Sequence, residues 1–447
     1  MTAGDEHTDD RHTEADARTW GEVLGPGLIT GAADDDPSGI GTYSQIGAQF
    51  GFSLAWIMVF SYPLLVATQL ICARIGAVTG HGIAHNLKRH YPRPVLWFAV
   101  MLLLIANTIN LGADLGAMAA ALNLLLPGPT MLYVVLSGGI SVLLEVFVAY
   151  ALYTRILKWS ALSLLAYILV PFVADVSPEA VLRGVVVPEL TFDRQTAMAV
   201  IAALGTTISP YLFFWQAGQE VEEQHRLHTH PLGVFPRAAG PSLKRMRTDT
   251  LIGMGVTSVT ALFIVIATAA TLHANGITEI ASADAAASAL RPIAGDFSFL
   301  LFAVGIIGIG LLAVPVLAGS AAYALSETFG WTEGLDRKPH EAKAFYGAIV
   351  VAVLGGVALN LIGIDPMQAL YWTAVINGLL APPLMVMTML AASNPKVMGR
   401  LTLPPLLKFG GWSATAVMIL VSAMFLLSSS DCPRADSGSR PRQWRAA

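Results

Sequence analysis

Three consecutive carboxylates, Asp34, Asp35 and Asp36, stand in the middle of a stretch that is otherwise apolar and rich in small residues. Residues 23–33 and 40–52 on either side read as two halves of one membrane-spanning helix. Pro37 follows the carboxylates; it has no backbone N–H and disfavours helix at Asp36, so the break is written into the chain. Carboxylates at membrane depth are expensive and mark ion or substrate pathways. Unwound backbone at that depth is tolerated where protein buries it or where it lines a wet cavity. Together these features predict a cation site at the break.

The rest of the chain suits such a setting. Hydrophobic residues make up 55% and charged residues 13%, against roughly 45–50% and 25% in soluble domains. Windows of about 20 apolar residues predict roughly eleven helices, over 22–50 (broken), 52–75, 95–126, 130–153, 156–175, 196–223 (broken), 250–272, 297–325, 343–362, 367–391 and 408–429. The expected class is an all-α polytopic membrane protein. Its parts are a polar tail over 1–20, a first five-helix unit over 21–175, an external loop over 176–195, a second five-helix unit over 196–391, a loop and last helix over 392–429, and a second tail over 430–447. Residues 1–19 lack the cationic-then-apolar layout of a signal peptide, and His7 and His12 within them read as solvated. Cys72 falls in an apolar span and Cys432 in the polar tail, which excludes a disulfide framework and a thiolate metal site.

Basic residues set the expected orientation. One set of loops carries Lys88, Arg89, Arg93, Arg155, Lys158, Arg226, Arg237, Lys244, Arg245, Arg247, Arg337, Lys338, Lys396 and Arg400, whereas the other carries Arg183, Arg194 and Arg291. This asymmetry places the N-terminus and the basic loops in the cytoplasm, with the protein in the inner or plasma membrane.

A second break lies in the sixth span, where Ser209 and Pro210 follow Gly205 and Thr206. The interrupted spans are therefore the first members of two five-helix units. An odd number of spans per unit inverts the second relative to the first, and paired interruptions point to a transport site between them. A carrier of an organic solute such as an amino acid is the alternative, but three aspartates would repel a substrate carboxylate. No nucleophile–base pair or His-based zinc motif speaks for an enzyme. No resident cofactor and no nucleic-acid partner are expected; the partners are the bilayer and the transported ion, and nothing specifies an oligomeric state.

Gly25-Pro-Gly27, Asp36-Pro37, Gly47-Ala-Gln-Phe-Gly51, Gly205-Thr-Thr-Ile-Ser-Pro210, Arg247-Thr-Asp-Thr250 and Gly363-Ile-Asp-Pro366 together resemble the Nramp family of divalent metal ion transporters, along nearly the whole chain. The resemblance implies a LeuT-like inverted-repeat fold and movement of manganese, iron or related ions, usually with protons. It also implies alternating access, with the first and sixth spans moving against a scaffold of the third, fourth, eighth and ninth.

Departures from the family pattern concentrate at the site. The family motif Asp-Pro-Gly-Asn stands here as Asp36-Pro37-Ser38-Gly39, so the aspartate is kept and the asparagine lost. The family's Met-Pro-His is Ser209-Pro210-Tyr211. Near the tenth-span glutamine position lie Thr373 and Ala374, with Asn377 one turn away, and Lys343, Phe345 and Tyr346 occupy the neighbourhood of the ninth-span arginines. Losing the methionine removes the soft ligand that favours transition metals. The expected metal ligands are then Asp36, Asp35, Ser209, Thr206 and Tyr211, with Asp34 and freed carbonyls alongside. Such oxygen donors suit a hard cation, and Gly39 would leave room for the waters magnesium keeps. The chain thereby resembles the Nramp-related magnesium transporters, although Mn²⁺ also accepts oxygen ligands.

Other polar groups at membrane depth complete the candidates. Asn107, Asn110 and Asp114 share one face of the third span, and the resemblance gives the Asp114 position a part in proton transfer. Tyr211 in place of the imidazole puts that coupling in question, since a phenol titrates near 10. Glu145 reads as a structural acid. Glu220 and Glu223 at the end of the sixth span are read either as a cation-attracting exit vestibule or, for this helix end, as partners of Arg226 and Arg245. Gln45 and Gln49 line an external approach or bond neighbouring helices.

Overall fold

A computed structural model describes residues 25–147 and 165–430, apart from 175, 190, 192, 237, 238 and 336. The expected tail over 1–20 with His7 and His12, residues 431–447 with Cys432, and Arg155, Lys158 and Arg237 lie outside the described residues. The described chain is helical, without a strand. The first broken span is α1 (Pro26–Asp34) and α2 (Pro37–Phe50), followed by α3 (Trp56–Thr79), the short α4 (Ile83–His90), α5 (Arg93–Leu125), α6 (Thr130–Phe147), α7 (Leu165–Val173) and α8 (Pro178–Val186). The second broken span is α9 (Arg194–Thr207) and α10 (Pro210–Arg226). Then come α11 (Ala239–Thr271), the short α12 (Ala283–Ser288) and α13 (Arg291–Ala294), α14 (Ser298–Phe329), α15 (Lys343–Leu359), α16 (Pro366–Ser393), α17 (Pro395–Met398) and α18 (Pro405–Ser430).

Among the described residues, nine helical stretches are long and apolar enough to cross a membrane. The first broken span falls short of that length because α1 has 9 residues and α2 has 14. The expected fifth span is represented by α7 alone, since 156–164 lie outside the described residues. Burial separates centre from periphery. The apolar window within 194–226 is 94% buried, whereas those of α6 and α15 are each 28% buried and that of α18 33%. The broken span α9–α10 is thus the middle of the molecule. Phe98, Leu143, Val351 and Leu420 on the outer helices are exposed, as a lipid-facing surface requires.

Small residues let the broken spans touch their neighbours backbone to backbone. A Cβ on Gly31 of α1 would lie 2.4 Å from the Gly253 carbonyl oxygen of α11, and one on Gly253 would lie 2.3 Å from that of Gly27. Likewise, a Cβ on Gly76 of α3 would lie 2.2 Å from the Ala217 carbonyl oxygen of α10. Gly31→Val is therefore expected to destabilise the protein by on the order of 1–3 kcal/mol through overpacking. Thermal unfolding in detergent checks this; an unchanged midpoint would mean that α1 and α11 are not held at this separation.

Candidate functional site at the two helix breaks

The first break follows from local chemistry. Asp36 is extended (φ −66°, ψ 169°) and is the N-cap of α2, with Pro37 in the first turn. Its Oδ1 accepts the Gly39 N–H at 2.7 Å, a donor that a helix start leaves free, and also the Ser38 hydroxyl at 2.9 Å. Its Oδ2 accepts Asn110 Nδ2 of α5 at 3.0 Å and lies 3.4 Å from the Tyr211 hydroxyl of α10. Tyr211 donates to the Ala33 carbonyl at 2.9 Å, so it closes an acceptor freed where α1 ends.

At the second break, Ser209 is extended (φ −77°, ψ 135°) and precedes Pro210. The Ser209 hydroxyl turns back to the carbonyls of Gly205 at 3.0 Å and Thr206 at 2.7 Å. Two hydroxyl pairs join the breaks: Ser38 with Thr206 at 3.4 Å, and Tyr43 with Thr207 at 3.2 Å.

Acceptor oxygens outnumber donors here. Both carboxylate oxygens of Asp34, Oδ1 of Asp35, Oδ1 of Asn110 and both carboxylate oxygens of Asp114 are buried without a hydrogen-bond partner. Asp114 also lies within electrostatic reach of Asp36 and of the Ser38 backbone. Buried acceptors of this kind are costly unless a cation or a proton joins them. No three His, Cys, Asp or Glu side chains among the described residues converge at metal-ligating distance. A cation between the breaks would thus be held by one or two carboxylates with hydroxyl, amide and carbonyl oxygens, a set that suits hard ions.

A cavity of about 720 Å³ runs between Ile40, Gln45 and Gln49 of α2, Gln195 of α9, Glu279 and the start of α16. It reaches Ile40, one turn from Asp36, and opens away from the basic loops. Gln45 and Gln49 both line it and make hydrogen bonds at its wall, Gln45 to the Thr278 carbonyl at 3.1 Å and Gln49 to Gln195 at 3.5 Å.

A profile of the natural resistance-associated macrophage protein-like (Nramp) family matches residues 27–428. The chain belongs to the Nramp family. It is 26% identical over 418 residues to the divalent metal cation transporter MntH of Klebsiella pneumoniae subsp. pneumoniae, covering 91% of this chain and 94% of that relative. A second Klebsiella pneumoniae MntH, from strain 342, is 25% identical with the same coverage. A crystal structure of the Eremococcus coleocola manganese transporter, in complex with an aromatic bis-isothiourea substituted compound, superposes with a TM-score of 0.71. That match covers 92% of this chain and 91% of the other at 17% identity, and it establishes a shared LeuT-like, all-α polytopic fold.

In this Nramp chain the breaks bring together Asp36, Gly39, Thr206 and Tyr211, with Asp114 beside them, whereas the Ser209 hydroxyl is turned back to the Gly205 and Thr206 carbonyls. Asp35 lies at the end of α1, within reach of Thr257 on α11. Asn377 is buried in α16, its Nδ2 has no partner, and no hydrogen bond joins it to Asp36 or Ser209 among the described residues. The space at Gly39 is narrow, about that of one carbon atom. A Cβ there would lie 3.3 Å from the Tyr43 ring and 3.4 Å from both the Asp34 carbonyl oxygen and Thr206 Oγ1, because the breaks close on each other at this point.

The two glutamates at the end of α10 differ. Glu220 is buried and accepts Gln216 Nε2 at 3.2 Å, whereas Glu223 pairs with Arg226 and, at 2.9 Å, with Arg245. Asp249 was not foreseen as a functional residue. Its Oδ2 accepts the Gly27 N–H at 2.7 Å and so caps α1 from α11. Only Arg247-Thr-Asp-Thr250 and the bare amides of Gly25-Pro-Gly27 hinted at this pairing.

Proposed function

We propose that this Nramp protein is a secondary transporter of divalent metal cations, carrying them between the breaks of α1–α2 and α9–α10 by alternating access. The observation that carries the reading is the set of unpartnered, buried oxygens of Asp34, Asp35 and Asp114 around Asp36, where two helices are open. Asp36, Asp35, Thr206, Ser209 and Tyr211 offer the oxygen ligands. Asp114 carries the proton, if one moves with the ion. Asp36 acts twice, as the cap that starts α2 and as the fixed negative charge that attracts the ion. The named relatives, divalent metal cation transporters and a manganese transporter, support the substrate class. The missing thioether extends it to hard ions such as Mg²⁺.

The ion enters through the glutamine-lined cavity. It leaves along α10 toward the basic loops past Glu220, Asp249 and Glu223, whose charges act on one another. We further infer eleven spans in two inverted five-helix repeats, with the N-terminus cytoplasmic in the cell membrane. Reciprocal packing supports this. The first span of one repeat, α1, lies on α11, the second span of the other, and α10 lies in turn on α3.

Purified protein in liposomes tests the reading through uptake of Mn²⁺ and Mg²⁺ with internal pH recorded. Mg²⁺ that enters and competes with Mn²⁺ is the expected result. Entry of neither ion above protein-free liposomes would refute the proposal, and entry of Mn²⁺ alone would refute its extension to Mg²⁺.

A further inference from the structure

We propose that Glu222 is a positioning residue for transport, a latch that holds the basic-loop face shut by tying α10 to α14 and to the 331–338 segment. The inference deepens the transport reading and rests on it.

Glu222 Oε1 accepts the Tyr323 hydroxyl of α14 at 2.6 Å and the Leu335 N–H at 2.8 Å. The segment it grips is anchored separately, because the Tyr346 hydroxyl of α15 donates to the Leu335 carbonyl at 3.3 Å and the Arg337 carbonyl at 2.9 Å. One carboxylate thus joins the second broken span to two helices of the surrounding scaffold. The segment is shaped to receive it. Gly334 has a φ of +131°, and a Cβ there would lie 2.9 Å from Glu222 Oε1, so both its backbone and its missing side chain serve the contact.

The same face of α10 leads back to the cation site. Tyr211, Trp215, Gly218 and Glu222 recur at i, i+4, i+7 and i+11, a single helix face. Tyr211 meets Asp36, the Trp215 ring stands edge-on to Tyr323 at 6.2 Å, and Gly218 admits the Tyr323 ring. Tyr323 in turn packs edge-on against Phe345 at 5.0 Å. From Tyr211 to Glu222 a rigid helix spans about 16 Å, at roughly 1.5 Å per residue. A shift of Tyr211 on ion binding therefore reaches the latch without an intermediary. Burial, with the Glu327 and Glu222 carboxyls beside it, pushes the nearby Glu333 carboxyl up, which disfavours a further charge beside the latch.

The test reads access from the basic-loop side and needs no transported ion. A single cysteine replaces Gln216, buried here, in a Cys72→Ser, Cys432→Ser background, and its alkylation by a charged maleimide is timed in inside-out vesicles. Removing a charged hydrogen bond shifts a two-state balance by about tenfold. Glu222→Gln should raise the labelling rate by about that factor. Tyr323→Phe, which keeps the ring and loses its hydroxyl's bond to Glu222, should raise it by about threefold. Unchanged rates in both variants would overturn the proposal, as would a lowered unfolding midpoint with no change in labelling, the signature of a merely structural contact. Loss of the transport reading would show separately, as Asp36-independent ion uptake.

Discussion

Asp36→Ala abolishes uptake of Mn²⁺ and Mg²⁺ into liposomes while the protein stays folded. This is the largest effect expected of any single change in the chain. The carboxylate is buried, fixed by the Gly39 N–H, Ser38 and Asn110, and faces Tyr211 across the two breaks. Losing it removes the charged ligand proposed for the ion and leaves the amide of Gly39 without its acceptor. The structural share of that loss is small, about 1 kcal/mol for an N-cap. Asp36→Asn separates the two roles, since asparagine caps a helix nearly as well and carries no charge. Both variants should purify as folded protein and both should fall to the uptake of protein-free liposomes. Transport retained by Asp36→Asn would mean that the carboxylate serves the fold and that the ion is held elsewhere.

Where Mn²⁺ entry acidifies the liposome interior, Asp114→Asn is expected to stop that acidification and to leave ion uptake in place. Asp114 is fully buried on α5, one turn from Asn110, and both of its oxygens lack partners. A carboxyl in that position changes its proton with the charge beside it, and the charges beside it are Asp36 and any ion Asp36 holds. Asparagine has nearly the same shape and cannot titrate. Acidification is read with a trapped pH dye under an imposed Mn²⁺ gradient. Wild-type uptake without acidification would remove the proton role from Asp114 and leave a facilitator driven by the ion gradient and membrane potential. Acidification that survives in Asp114→Asn would place the proton carrier on another group.

Both predictions concern residues visible as candidates in the sequence, but their partners were not. Pro37 and Pro210 break helices for reasons contained in three or four neighbouring residues, namely a missing N–H and a clash with the residue before. Asp36 is legible as an N-cap for the same local reason. The apolar windows are legible because the bilayer demands a fixed length of them. Glu223 illustrates the limit. Vestibule and ion-pair readings stood level in the sequence, and the structure gives it Arg226 and Arg245, the latter 22 positions away. At Gly39 the sequence suggested space, and the approach of Tyr43, Thr206 and the Asp34 carbonyl narrows it to about one carbon atom.

The class of protein, the two interruptions, and the carboxylate at the first of them are therefore legible from the residues alone. Each follows from composition or from the covalent chemistry of adjacent residues. Tertiary structure alone decided that Asn110 and Tyr211 meet Asp36, that Asp249 caps α1 across 222 positions, and that Glu222 closes on Tyr323 across 101. Helical periodicity tells which side chains share a face, but not which face of another helix they will meet. That pairing is set by where glycines such as Gly31, Gly253 and Gly76 let backbones touch, and it exists only once the helices have packed.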